Sequence, residues 1–473
     1  MNYIWFDLET SGSSTSHDCI LEAYFLLTND SFQKLAPPLS VRCRLKEGVV
    51  PNLNALLINR STVNLLKNSN MSWYQAINLI EATLRKWGPA IYWAYGGVNF
   101  DYEFLRKTWF KALKEPYLTN TGGSKQGDVL HVIRAAKLVK DDIIETPISA
   151  KGNPVFKLDK LMKHTDAHGA EADTIQTKKL AELIAKKANP VWKSSLMTTS
   201  RIDTEQLIQK EKSFCSLEYF YGKLRIYYTY YFGIQHPVYK PWFLTWDLQW
   251  DPADYIKMSR EALKEALSKS PKVLRTIRCN KSPMILNSSY GMKVEPYSKI
   301  SQEVYKKRMK NLDESSEFKE RILNILQEKA EEKKKDDPQS LHPEDRLNNL
   351  YAHGFPQQPE KEKMAKFHSV DWKEKINLLD SFSQDHNNQF ARRLVYEEAE
   401  HLLPKSIHTE IKRTLAEKIL NPKNDKVNWT TVADFYSQID LERNKSQNDP
   451  KRMKLLEEYN DFVMDIEKKY QNA

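Results

Sequence analysis

Near its N-terminus the chain reads Phe6-Asp7-Leu8-Glu9-Thr10, two carboxylates separated by one apolar residue. In a strand, residues two apart project to the same face, so Asp7 and Glu9 would converge on one point. Converging carboxylates repel unless a proton or a cation lies between them, and Mg2+ takes carboxylate and water oxygens in such an arrangement. A third carboxylate, Asp101, follows a later apolar run and opens a helical segment, where negative charge suits the N-terminal dipole. A last cluster, His168-Gly-Ala-Glu-Ala-Asp173, pairs an imidazole with a fourth carboxylate. On a regular helix, residues five apart differ by about 140°, so these two share a site only with His168 on the entering loop and Asp173 in the first turns. Each element alone also fits an ordinary structural role: a solvated strand end, a helix cap, a polar helix start. Together, in this order, four carboxylates and one histidine are what a two-metal phosphodiesterase requires. Two Mg2+ ions would stabilise the attacking and leaving oxygens, and a histidine of near-neutral pKa would take a proton from the attacking water.

The elements that must position these residues are legible as hydrophobic patterns. Residues 3–6 and 20–27 are short aromatic and β-branched runs, and residues 39–45 alternate apolar and polar side chains as a half-buried strand does. Ser72 caps a helix over residues 73–87, in which Ala76, Ile77, Ile80 and Leu84 recur at three- and four-residue steps, and Gly88-Pro89 ends it. Residues 90–95 form a further strand, followed by helices over residues 101–113, 129–138 and 170–187. Strands first, then mainly helices, describe a mixed sheet with helices packed on it. From residue 189 the texture changes. Residues 214–250 concentrate tyrosine and tryptophan, punctuated by Gly222, Gly233, Pro237 and Pro241, as in a small β-rich domain. A helical insert over residues 252–267 and a strand at 273–277 follow, and from residue 301 the chain is helical and highly charged.

Length and composition bound the rest. A chain of 473 residues accommodates about three domains. With 28% charged and 11% aromatic residues it is a folded globular protein and not a disordered one. No apolar run approaches the roughly 20 residues of a membrane span. The net charge of +10 suits an anionic partner and equally a mildly basic protein. Cys19, Cys43, Cys215 and Cys279 have neither zinc-ligand nor disulfide-framework spacing, and with no leader-like N-terminus they point to the cytoplasm.

In their order and spacing, Asp7-x-Glu9, Asp101 and His168-x4-Asp173 resemble the DEDDh group of 3′→5′ exonucleases. The segments FDLETSG (6–12), VVPNLNALLINRST (49–62), AYGGVNFDYEFLR (94–106), VLHVIRA (129–135) and FKLDKLMKH (156–164) narrow the resemblance to the bacterial exodeoxyribonuclease I family. YFYGKL (219–224), TIRCNKSPMIL (276–286) and LYAHGF (350–355) extend it over most of the chain. The resemblance implies an α/β fold: a ribonuclease H-like exonuclease domain (1–188), an SH3-like β-rich domain with helical inserts (189–345) and a C-terminal helical domain (346–473). It implies a monomeric hydrolase of single-stranded DNA that releases 5′-mononucleotides and serves DNA repair or recombination. Asp7, Glu9, Asp101 and Asp173 would hold two Mg2+, with Mn2+ able to substitute, and His168 would be the general base. Thr10 would lie beside the 3′-terminal nucleotide, and Arg106, Tyr117, Arg134 and Lys157 would contact the strand. It also implies a protein partner, the acidic C-terminal tail of single-stranded-DNA-binding protein. Two positions depart from the family pattern: Gly96 stands where Asn is usual, and Lys157 where Arg would supply a bidentate fork. An RNA exonuclease of the same group and a binding module with a decayed site are the alternatives. The long extension beyond the catalytic part weighs against the first, and the intact residue set against the second.

Overall fold

The structure, a computed structural model, describes residues 1–163, 169–334, 342–420 and 427–473. The three N-terminal apolar stretches pair antiparallel as β1 (Asn2–Thr10), β2 (Ile20–Thr28) and β3 (Leu39–Arg42). Strand β4 (Ala90–Ala94) joins the other edge of β1 in parallel, and β5 (Lys125–Asp128) joins β4, giving the order β3-β2-β1-β4-β5. Strand β5 was not anticipated. Its Lys-Gln-Gly-Asp sequence carries no apolar side chain, and it is a strand because the open edge of β4 supplies its hydrogen-bond partners. The short helices Leu53–Ile58 and Val63–Asn68 were likewise not read from the sequence.

Strand β1 is central and covered on both faces, which accounts for its unbroken Tyr-Ile-Trp-Phe run. On one face Tyr3 and Trp5 pack with Trp93, Leu180, Ala181 and Ile184, placing the Ala170–Lys187 helix against that face. Trp93 stacks on Trp5 (6.0 Å between centroids) and on Trp192 (4.8 Å). On the other face Ile4 and Phe6 meet Phe25, Tyr92 and Tyr102, under the helices Trp73–Trp87 and Asp101–Lys111. The first of these begins with the expected Ser72 cap, reciprocated by the Gln75 side chain as a capping box.

A second sheet holds β6 (Ser213–Phe220), β7 (Lys223–Gln235), β8 (Trp242–Asp247), β9 (Leu274–Arg278) and β10 (Ile285–Asn287). It is an antiparallel meander in the order β10-β6-β7-β8-β9, whose last strand returns to pair with the first. This is the β-rich, SH3-like part. Its aromatics divide: Tyr228, Tyr230, Tyr231 and Trp246 are core, whereas Phe220 and Tyr221 stand exposed at the β6–β7 turn. The helical C-terminal part returns to the first sheet's side of the molecule. Ile411, Leu415, Phe435, Leu456 and Phe462 share one core with Leu21, Val49 and Leu53. Phe367, Phe390 and Leu394 share another with Phe6 and Trp109. The four cysteines are buried and free. Among the described residues no helix is long and apolar enough to cross a membrane.

Candidate metal centre

Asp7 and Glu9 project from the same face of β1 as Tyr3 and Trp5, the face that the Ala170–Lys187 helix covers. The first residue of that helix, Ala170, is fully buried, so the helix starts close to the strand. Asp173 lies in its first turn, with its N–H donating to Gly169 O (3.1 Å). As a result one carboxylate oxygen each from Asp7, Glu9 and Asp173 lie within 4.8 Å of one another. Asp101 begins the helix that follows β4 and is 4% exposed. It acts electrostatically on Asp7 and Glu9, so the fourth expected carboxylate belongs to the same cluster. His168 lies outside the described residues, which resume at Gly169.

The cluster carries a large electrostatic strain. Burial raises Asp7 well above the usual carboxylate range, and repulsion from Asp101, Glu9 and Asp173 adds to it. Burial, with Asp173 and Glu22 next, lifts Glu9 to about 8. Asp101 rises to about 7, again chiefly through burial; Asp128 and Asp173 push it up, while its own and Leu8's N–H groups pull it down. Buried carboxylates in mutual repulsion bind either protons or cations. An all-oxygen donor set of this kind fits a hard divalent ion such as Mg2+ and offers nothing to a soft one.

Two acids that the sequence did not single out shape the centre. Glu22 sits directly across the β1–β2 ladder from Glu9 and is ion-paired with Arg42, which partly offsets its charge. Asp128, at the end of β5, accepts hydrogen bonds from the N–H groups of Gly96 (2.8 Å), Val98 (3.2 Å) and Leu130 (2.9 Å). It thereby anchors the turn that delivers Asp101. Gly96 occupies the left-handed region (φ +72°), which Asn also tolerates better than other residues. Gly96 and the Asn expected at this position therefore both suit the turn.

The expected strand-contacting residues fall into two groups. Arg134 lies over the ring of Tyr219 (3.9 Å) and beside Phe156 (5.7 Å), with its buried Nε lacking a partner; Lys157, next to Phe156, is exposed. This group joins the segment around Phe156 to strand β6 of the second sheet. Arg106 and Tyr117 belong to the other group and form a cation–π pair (5.0 Å). They line an open cavity of about 850 Å³ together with Lys281, Tyr351 and Phe355. Arg106 is largely committed within the protein. It donates to Glu103 (2.7 Å) and to the Tyr351 hydroxyl (2.9 Å), and Tyr351 in turn donates to Glu103 (2.6 Å). Lys281 also reaches Glu103 (3.4 Å), so one carboxylate, half a turn after Asp101, ties together all three parts of the chain. The segments TIRCNKSPMIL and LYAHGF contain Lys281 and Tyr351, but nothing in the sequence linked either to Glu103. Thr10 is buried, with its hydroxyl donating to Gly12 O (2.7 Å), and it follows a register shift in the β1–β2 ladder.

No family model matches the chain. It is similar to a curated exodeoxyribonuclease I from Buchnera aphidicola subsp. Schizaphis graminum, at 27% identity over 234 residues. That alignment covers 48% of this chain and 48% of the relative, so the chain matches about half the relative's length. Among solved structures it is similar to E. coli exonuclease I in complex with a dA16 oligonucleotide, with a TM-score of 0.81 at 16% identity, covering 98% of this chain and 99% of that one. An ExoI/SSB-Ct complex gives a TM-score of 0.79 at the same identity and coverage. The chain thus resembles bacterial exodeoxyribonuclease I in sequence and has the exonuclease I fold from end to end.

Proposed function

We propose that this protein is a divalent-metal-dependent 3′→5′ exonuclease that degrades single-stranded DNA to 5′-mononucleotides. The observation that carries the reading is the convergence of the Asp7, Glu9 and Asp173 carboxylates within 4.8 Å, with Asp101 electrostatically joined to them. Asp7, Glu9, Asp101 and Asp173 would hold two Mg2+, with Mn2+ able to substitute. When bound, such ions supply positive charge to the scissile phosphate and to the attacking and leaving oxygens. His168, five residues before Asp173, takes the proton of the attacking water. Arg106 and Tyr117 on one side, and Arg134 and Lys157 on the other, receive the strand. Thr10 stands next in sequence to Glu9, and its backbone borders the terminal nucleotide.

The division into an exonuclease domain (1–188), an SH3-like domain (189–345) and a helical domain (346–473) is part of this reading, supported by the two separate sheets. The likeness to an ExoI/SSB-Ct complex supports single-stranded-DNA-binding protein as a partner through its acidic tail. Four buried free thiols suit a reducing cytoplasm, and repair or recombination is the process such an activity serves.

The test is incubation with 5′-labelled single-stranded DNA, duplex DNA and RNA, with Mg2+ or with chelator. Shortening of the single strand from its 3′ end only with metal is the expected result. Equal digestion of RNA would move the reading to an RNA exonuclease, and no digestion of any substrate would reduce it to a binding module.

A further inference from the structure

Away from the carboxylate centre, the interface between the first sheet and the C-terminal helices encloses a group of cationic side chains. Lys46 comes from the loop after β3, Lys111 from the end of the Asp101–Lys111 helix, Arg393 from the Asp385–Ala399 helix and Lys418 from the Lys405–Ile419 helix. All four line one small cavity of about 30 Å³, together with His17 and the carboxylates Glu47, which is paired with Lys469, and Glu397.

The pairing of these charges is uneven. Lys46 is ion-paired with Glu397 (2.5 Å), and Arg393 makes a two-pronged pair with Glu344. Lys111 and Lys418 form no ion pair among the described residues. Each is at most 7% exposed, and each donates to a single backbone carbonyl: Lys111 to Ser16 O (3.2 Å) and Lys418 to Gly48 O (3.1 Å). An ammonium has three donors, so the remaining ones have no protein acceptor. Asp18 lies near enough to act on both but is turned away, accepting from Ser11 Oγ (3.0 Å) and the Ser14 N–H (2.8 Å). His17, 4% exposed, bonds Asp345 through Nε2 (2.7 Å), while its Nδ1 has no partner. Burial pushes Lys111 down to about 7, and repulsion from Lys46 and Lys418 adds to it. Glu344 acts on Lys418 but is held by Arg393, as Glu397 is by Lys46. Two desolvated ammonium groups with unused donors around an enclosed space are costly unless something anionic fills it.

We propose that this cavity binds one small inorganic anion, of chloride size, held between the ammonium groups of Lys111 and Lys418. The space accommodates about two water-sized occupants. The anion takes one place, and a water takes the other, donating one hydrogen to His17 Nδ1 and the second to the anion. The bound ion links the first domain to the C-terminal helices. It also backs the turn after β1, because Lys111 holds Ser16 O, and Lys107 holds Thr15 Oγ1 (2.8 Å) and Ser16 Oγ (2.9 Å) in that same turn. The ion is structural and takes no part in the proposed hydrolysis.

The test uses the full chain crystallised from sodium bromide, with anomalous data collected at the bromine edge. The expected result is a bromide peak in this cavity within hydrogen-bonding reach of Lys111 Nζ and Lys418 Nζ. Alongside it, Tm is compared in sodium chloride and sodium gluconate at equal ionic strength, for wild type and Lys418→Met. Wild type should melt higher in chloride by a few degrees, and the variant should melt alike in both salts. A cavity holding only water, an empty cavity with no anomalous peak, or wild-type melting that ignores the choice of anion would each overturn the proposal. The crystallographic arm needs no variant, so a Lys418→Met protein that failed to fold would leave it decisive.

Discussion

Replacing Glu9 by Gln should make the metal-free protein more stable and the metal-loaded enzyme inactive. Burial, with Asp173 and Glu22, lifts the Glu9 carboxyl from an ordinary 4.5 to about 8. At roughly 1.4 kcal/mol per pH unit, that corresponds to roughly 5 kcal/mol against the charged form in the folded state. For an acid raised on folding, the penalty is absent below pH 4.5, where folded and unfolded chains are both protonated. It grows as pH rises, because the unfolded chain releases its proton first, and it is complete above pH 8. Glutamine is neutral at every pH and escapes it. In chelator the Tm of Glu9→Gln should therefore equal that of wild type near pH 4.5 and exceed it progressively to pH 9, by roughly 5 °C or more. Adding Mg2+ should reverse the order, since only wild type keeps the full donor set and gains binding energy. Turnover of single-stranded DNA should fall at least roughly a hundredfold in the variant. Differential scanning calorimetry at pH 4.5, 7 and 9, with chelator and with Mg2+, reads the whole pattern. A variant no more stable than wild type in chelator at pH 9 would refute the view that these carboxylates are held together against their own repulsion.

Four further outcomes follow from particular residues. Asp7→Ala should abolish turnover and the Mg2+-dependent rise in Tm while leaving the far-UV circular dichroism unchanged; degradation at a near wild-type rate would remove Asp7 from the site. Glu103→Gln keeps the shape but weakens the charged bonds to Arg106 and Lys281, so KM for a long single strand should rise severalfold with little change in kcat on a dinucleotide. Gly96→Asn should retain near wild-type activity because Asn tolerates the left-handed backbone, whereas Gly97→Ala puts a Cβ 2.5 Å from Ala94 Cβ and 3.1 Å from Asp101 Oδ2 and should lower Mg2+ affinity, read by titration of activity against Mg2+.

Local rules determined a good part of this protein from sequence alone. The two-residue period of a strand places Asp7 and Glu9 on one face whatever else the chain does. A carboxylate after a strand and before an amphipathic run marks a helix start, which is where Asp101 lies, and the helix carrying Asp173 spans Ala170–Lys187 as its pattern indicates. The aromatic-rich middle and the helical end were legible as changes of composition. Tertiary structure decided which faces meet. Strand β5 exists because β4 had an open edge, and Glu22 joins the centre because the β1–β2 register sets it opposite Glu9. Glu103 receives Tyr351 and Lys281 from 248 and 178 residues away. Lys111 and Lys418 share a cavity although each, taken in sequence, reads as an ordinary surface lysine on an amphipathic helix. Contacts across such separations follow from how whole elements pack, and no periodicity within a single element encodes them.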